Sequence, residues 1–490
     1  MLRAIICIFF IFFLFEPTTN LAQTIEWSNA QKIKPKTLYT QILGENTSGI
    51  YLLRCRDTEF ETGLTIEKYK SNLTLEISQN LTLSINGLVE RVLLIENNIY
   101  AFLTAKNNTS GNIDVLVQKI DEYLKPVGLP AVLGSIPNEN YIDKRHIQIK
   151  TSSNKNYISL MFLTKSQNIG ILNLWTFDRQ LSQIYAKQFN LNRFYKDIFI
   201  TNYEVTNNAE TFVLVDFPKE GAEKKKTDPR DFFVYGYNPL TNRMLQYAIN
   251  DENIFIEDLT IAINNFNGTT NVFGTYAQPG VKGLSGYFFL RINSSSGLLE
   301  NKTFTAIEYS TFFKNFTGKL GEKSQDLSDF YVRKIIPRSD GGIIALIEKY
   351  YQTRQVYTYF VGNFPQTTTR TIYHYDEAPV LNINPDGTLK QVNWIKKNQT
   401  SANDGGYLLS YIAIPTTDNL YFIYNVDNVS ENDIMLSSLS YNGDFDSRIL
   451  LKNANVNAAI IPSEYKQVSA KSALICAIKD KRFALMRITF

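Results

Sequence analysis

Val380-Leu381-Asn382-Ile383-Asn384-Pro385-Asp386-Gly387-Thr388-Leu389-Lys390-Gln391-Val392-Asn393-Trp394-Ile395 reads as a strand, a tight turn and a second strand. The apolar runs are too short for helices, and Asn384 and Gly387 accept the positive φ that hairpin turns require. Upstream, Asp340-Gly341-Gly342 opens another apolar run, Ile343-Ile344-Ala345-Leu346-Ile347. Downstream, Asp404-Gly405-Gly406 stands before Tyr407-Leu408-Leu409 in the same way. The unit is therefore a run of antiparallel strands joined by short polar turns.

That unit recurs. Strands ending at Tyr69, Ile120, Phe177, Tyr237, Ile292, Ile383, Leu439 and Ile488 are spaced by 51, 57, 60, 55, 91, 56 and 49 residues. A period near 50–60 matches one four-stranded blade with generous loops. Helical periodicity is nearly absent, and 13% aromatic content suits β structure. The two Asp-Gly-Gly openings, the Asn-Pro-Asp-Gly hairpin and the period make the chain resemble the secreted bacterial β-propeller repeat proteins. The resemblance covers residues 23–490 and is architectural. It implies an all-β fold, a closed propeller of seven to eight four-stranded blades forming one domain. The chain has no Trp-Asp array, kelch double-Gly or sialidase box, so the resemblance selects no function. The eighth unit stops at Phe490 without an outer strand, and Lys36–Ile42 is the strand-like segment expected to supply it, pairing an otherwise open edge.

Residues 1–22 read as a secretory signal peptide. Arg3 precedes the apolar run Ala4–Phe15, which is shorter than a bilayer span, and cleavage is expected after Ala22. Export leaves Cys55 and Cys476 in the mature chain. A disulfide between them would suit an oxidising compartment, but both lie in apolar strands and two buried thiols are the expectation.

Composition narrows the chemistry. Fifty Lys+Arg against 47 Asp+Glu give a net charge of +3, with neither the basic excess nor the stripe of a nucleic-acid binder. The run Lys224-Lys225-Lys226 is flanked by Glu220, Glu223 and Asp228 and reads as a solvated loop. Two histidines, His146 and His374, stand far apart without ligand-spaced partners, so no metal site and no cofactor is expected. No Gly-x-Ser-x-Gly elbow is present. No catalytic residue is assigned. The enzymatic alternative is a carboxylate-dependent glycosidase or lyase drawing on strand-end acids such as Asp57, Asp178, Asp216, Asp376, Asp404 and Asp427, positions that turns favour in any case.

The 91-residue spacing marks an insertion at about 349–375, rich in tyrosine. It reads either as an extra hairpin burying its rings on the propeller or as a lid with Tyr350, Tyr351, Tyr357 and Tyr359 on one rim of a ligand groove. The expectation is an exported, non-enzymatic binding or scaffold module for a glycan, peptide or extracytoplasmic protein.

Overall fold

The computed structural model describes residues 23–32, 39–55, 63–142, 147–219, 230–249, 251, 254–281, 283–314, 316, 327–426 and 433–490. The segment read as a signal peptide, together with His146, Asp57, Asp427 and the Lys224–Lys226 run, lies outside the described residues.

Eight antiparallel sheets follow one another along the chain. In sheets 1–5 and 7 the strands pair in chain order; in sheet 6 the segment 350–375 is inserted between two paired strands. Sheet 1 runs Tyr39–Asn46, Gly49–Cys55, Thr65–Tyr69 and Leu75–Asn80. Sheets 2 to 5 occupy residues 88–136, 148–194, 199–248 and 255–306, and sheets 6 to 8 occupy 330–395, 412–451 and 458–489. All eight strands that set the sequence period fall at the third position of a sheet. Two four-residue helices, Tyr309–Phe312 and Asn453–Val456, are the helices among the described residues, apart from one 3₁₀ turn.

Burial explains why the central strands read as continuous apolar runs rather than alternating ones. Both faces of each sheet are covered by neighbouring sheets. In the second strand of sheet 4, Val213 and Val215 pack towards sheet 3, while Phe212 and Leu214 pack towards sheet 5. Seven apolar clusters join consecutive sheets in this manner. An eighth joins sheet 8 to sheet 1, through Ile461, Leu474, Cys476, Phe483 and Leu485 against Ile42, Ile50, Leu52 and Tyr69. At about 1.5–3 kcal/mol for each large side chain buried, these seams dominate the cohesion of the fold.

The strand that completes sheet 8 is Thr24–Trp27, not Lys36–Ile42. It pairs antiparallel with Arg482–Thr489 over the register Thr24↔Thr489 to Trp27↔Met486. Residues 39–46 instead lead sheet 1, because Asn46 caps a tight turn into Gly49–Cys55, accepting from the Ser48 and Gly49 amides at 2.9 and 3.1 Å. Beyond Trp27, Gln31 exchanges two backbone hydrogen bonds with Phe483, at 2.7 and 2.9 Å. Its side chain meets sheet 1, donating to the Tyr69 hydroxyl at 2.7 Å and accepting from Arg54 at 2.9 Å.

A second correction concerns Asp404-Gly405-Gly406. The parallel with Asp340-Gly341-Gly342, which does lead into Ile343–Val361, fails here. Gly405 and Gly406 both hold left-handed φ, +74° and +72°, and turn the chain, so Tyr407–Leu409 is a loop and Asn419–Asn425 is the second strand of sheet 7.

The first strands of the sheets share a device. In sheets 1, 2, 4, 5 and 6 one extra residue bulges from the pairing with the second strand: Leu43, Glu90, Thr201, Glu257 and Arg333. Each bulge lies within the first strand, between two paired stretches, and it aims one side chain away from the ladder. Glu90 accepts from Thr104 at 2.8 Å, and Arg333 pairs with Glu348 at 3.1 Å.

Cys55 and Cys476 are both buried thiols, on sheets 1 and 8. A chain of residues 23–490 unfolded without reductant should therefore release two titratable thiols; a count of zero would refute this.

Candidate functional site

The second strand of sheet 6 is 19 residues long, Ile343–Val361. Its first part pairs with its neighbours in the sheet. From Tyr350 onward it leaves them and pairs only with Phe364–Tyr375, in an unbroken register from Tyr350↔Tyr375 to Val361↔Phe364. The two-residue turn Gly362-Asn363 carries the positive φ at Gly362, +62°. The insertion is thus a long ribbon, steadied at its root where residues 372–375 pair with Gln399–Ala402. Residues 352–360 and 362–370 are exposed throughout, so the ribbon does not bury its rings on the sheet.

Strand alternation divides the four tyrosines. Tyr351, Tyr357 and Tyr359 share one face, and Tyr350 lies on the other, so the four do not form one rim. Tyr357 and Tyr359 are exposed. Tyr351 is half-buried and stacks on His374 at 4.4 Å with planes 5° apart. Tyr350 packs at the root against Tyr375 and Tyr331, with centroids 4.6 and 6.2 Å away.

Beneath the root lies a buried charge cluster. The Glu348 carboxylate, fully buried, faces Lys397 Nζ at 2.7 Å, Arg333 Nε at 3.1 Å and the Ser410 hydroxyl, which donates at 2.7 Å. Lys397 also donates to the Tyr375 carbonyl at 3.1 Å. Burial pulls the Lys397 ammonium below the usual lysine range, and the Glu348 charge opposes this. Arg333 is the bulged residue of the first strand of sheet 6, which is why its side chain reaches sideways to this cluster.

Arg333 and Ser410 form part of the wall of a pocket of about 350 Å³, together with Tyr375, Tyr407, Tyr411 and Glu464. The pocket sits where sheets 6, 7 and 8 meet beside the ribbon's root. Burial raises Tyr375 to about 12 and lifts Tyr411 well above the ordinary tyrosine value. Tyr407 is raised by burial and by the Asp404 and Glu464 carboxylates. The Tyr411 hydroxyl is buried and has no hydrogen-bond partner among the described residues. A larger cleft of about 640 Å³ opens between the outer parts of sheets 6 and 7, around Gln391, Trp394, Lys396, Asp444 and Phe445.

The described members of the strand-end acids are already engaged. Asp178 accepts from the Gln180 and Ser182 amides, Asp216 pairs with Arg230, and Asp404 accepts from Ser401 and the Gly406 amide. Asp376 takes the Tyr351 hydroxyl. Glu257 and Asp258 lie close to Asp329 near the same root. Burial lifts Asp258 to about 6, yet its two oxygens hold the Leu259 and Val332 amides, bracing sheet 5 to sheet 6. Arg333, Glu348, Lys397, Tyr411 and Glu464 were not singled out from the sequence. The available signal was charge placed directly beside apolar runs, as in Ile347-Glu348 and Ile395-Lys396-Lys397.

No protein-family model matches the sequence, and no curated protein matches it. Similar solved structures include the WD40 domain of SCAP from fission yeast (9% identity, 96% of this chain and 98% of that one, TM-score 0.39). The polysaccharide lyase Uly1 is similar at 8% identity, over 95% of this chain and 99% of that one, with a TM-score of 0.37. So is the β-propeller domain of the Trilobed protease from Pyrococcus furiosus, at 9% identity, 83% of this chain and 94% of that one, TM-score 0.36. These likenesses are architectural and assign no activity. Among the described residues, no helix is long and apolar enough to cross a membrane.

Proposed function

We propose that residues 23–490 form a closed, eight-bladed β-propeller that is exported and acts as a non-enzymatic binding module. Its ligand, a glycan or an extended peptide of an extracytoplasmic protein, would be taken at the pocket walled by Arg333, Tyr407, Tyr411 and Glu464. Closure is supported by the eighth apolar seam and by the Gln31 bridge between sheets 8 and 1. The observation that carries the binding reading is the Tyr411 hydroxyl. It is a buried donor without a hydrogen-bond partner among the described residues, on a side chain that lines the pocket, and a polar ligand group reaching it would relieve a cost of about 1–3 kcal/mol. Ring faces at Tyr375 and Tyr407 suit stacking on sugars or peptide planes, and Arg333 adds a fixed cation. The enzymatic alternative is less well supported, because each described acid of the candidate set is committed to a turn, an ion pair or a tyrosine hydroxyl.

The mature protein should retain a ligand from a glycan and cell-surface peptide panel. Tyr407→Ala, at an edge position of the pocket, should weaken that binding about tenfold or more while leaving the thermal midpoint nearly unchanged. Binding untouched by Tyr407→Ala and by Tyr411→Phe would refute the pocket. Cleavage of a panel polysaccharide, abolished by Asp404→Asn at an unchanged thermal midpoint, would establish the enzymatic alternative instead.

A further inference from the structure

The end of the ribbon is apolar on both faces. Tyr357 and Tyr359 point to one side and Val356 and Phe360 to the other, and Phe364 follows the turn. Phe360 and Phe364 are 69% and 74% exposed. A glycan or a protein groove would engage one face of a two-stranded ribbon, whereas a lipid interface surrounds its end. Charge points the same way. Residues 349–375 contain Lys349, Arg354, Arg370 and His374 and no acid, although 47 acids in 490 residues would place two or three in a stretch of 27. We infer that the tip of the ribbon is a membrane-surface anchor, inserting Phe360 and Phe364 into the interface of an anionic bilayer, independently of the pocket described above.

Geometry limits the depth. The outer edges of a two-stranded ribbon carry unpaired amides and carbonyls that cannot enter the hydrocarbon core, so only the turn and its nearest residues go in, about 5–10 Å. At ~3.4 Å per residue, that immerses both phenylalanines and leaves Tyr359 among the headgroups, where tyrosine is favoured. Arg370 and Arg354 then stand about 15–20 Å above the surface, within reach of its negative potential at low ionic strength, where the Debye length is about 30 Å. The same acid-free, cationic character disfavours pairing with the ribbon of a second copy.

The test uses the mature chain and vesicles made of equal parts phosphatidylglycerol and phosphatidylcholine, or of phosphatidylcholine alone. The protein should float with the anionic vesicles, and raised salt should weaken binding. Phe360→Ser with Phe364→Ser should cut partitioning about tenfold or more at an unchanged thermal midpoint. Arg354→Gln with Arg370→Gln should cut it several-fold on anionic vesicles only, and at about 0.01 M salt, where the screening length exceeds their height. In a Phe364→Trp variant, the introduced indole should be quenched by brominated acyl chains. Absence of flotation, flotation without that quenching, or a dimer in sedimentation equilibrium that the double serine variant disperses would each overturn the anchor.

Discussion

Residues 33–490 are expected to be less stable than residues 23–490 by on the order of 5 kcal/mol, far more than ten residues in an exposed tail would cost. The segment supplies the fourth strand of sheet 8, with Ser28 and Gln31 extending the pairing to Leu485 and Phe483. At about 1 kcal/mol net per hydrogen bond, these bonds alone approach that figure. Burial of Ile25 and Trp27 against the sheet 7–8 seam adds to it. Gln31 also closes the polar seam to sheet 1, where Arg54 lies 3.9 Å over the Phe483 ring and 2.9 Å from Glu67. Urea denaturation measures the loss, and a synthetic peptide of residues 23–32 should restore the midpoint in proportion to its concentration. An unchanged midpoint in the truncated chain would show that sheet 8 does not depend on this strand.

The other large effect is expected at Glu348. Glu348→Ala should cost about 3–5 kcal/mol, because it leaves the Lys397 ammonium buried without its carboxylate. Arg333 and Ser410 would lose a partner as well. The pair Glu348→Met with Lys397→Met should recover most of that loss, since a buried ion pair is stabilising only relative to half of itself. If the double variant is no more stable than Glu348→Ala, the cost belongs to packing and not to charge. Both variants should keep the ribbon's own pairing from 350 to 375, because its register does not involve Glu348.

The sequence made the third strands plain and hid the first ones. Phe288–Ile292 and Val380–Ile383 announce themselves because sheets cover both of their faces. Phe199–Val205 does not, since its burial alternates with exposure and Thr201 breaks its register. The same cause misplaced the strand at the start of the chain. Lys36–Ile42 looked unassigned because its hairpin partner, Gly49–Cys55, had been read without its first strand. The ribbon was legible as an interruption of the period, and alternation alone sets Tyr350 opposite Tyr351, Tyr357 and Tyr359; its exposure was not legible, because that depends on whether the ribbon lies on the sheet or leaves it. The pocket left almost no local trace. Arg333 meets Glu348, and Lys397 lies 49 positions beyond that carboxylate, so what brings them together is sheet pairing rather than spacing.

The recurrent bulge gives the fold a degree of freedom that ladder residues lack. A residue inside a strictly paired strand cannot be exchanged freely, because its neighbours on the sheet face constrain size and polarity. Leu43, Glu90, Thr201, Glu257 and Arg333 stand outside the pairing, one in each of five sheets, and already carry four different side chains. Those places behave like interchangeable sockets on a common chassis. New recognition chemistry can be written at one socket at a time, by natural drift or by grafting, while the hydrogen-bonded frame around it is inherited unchanged.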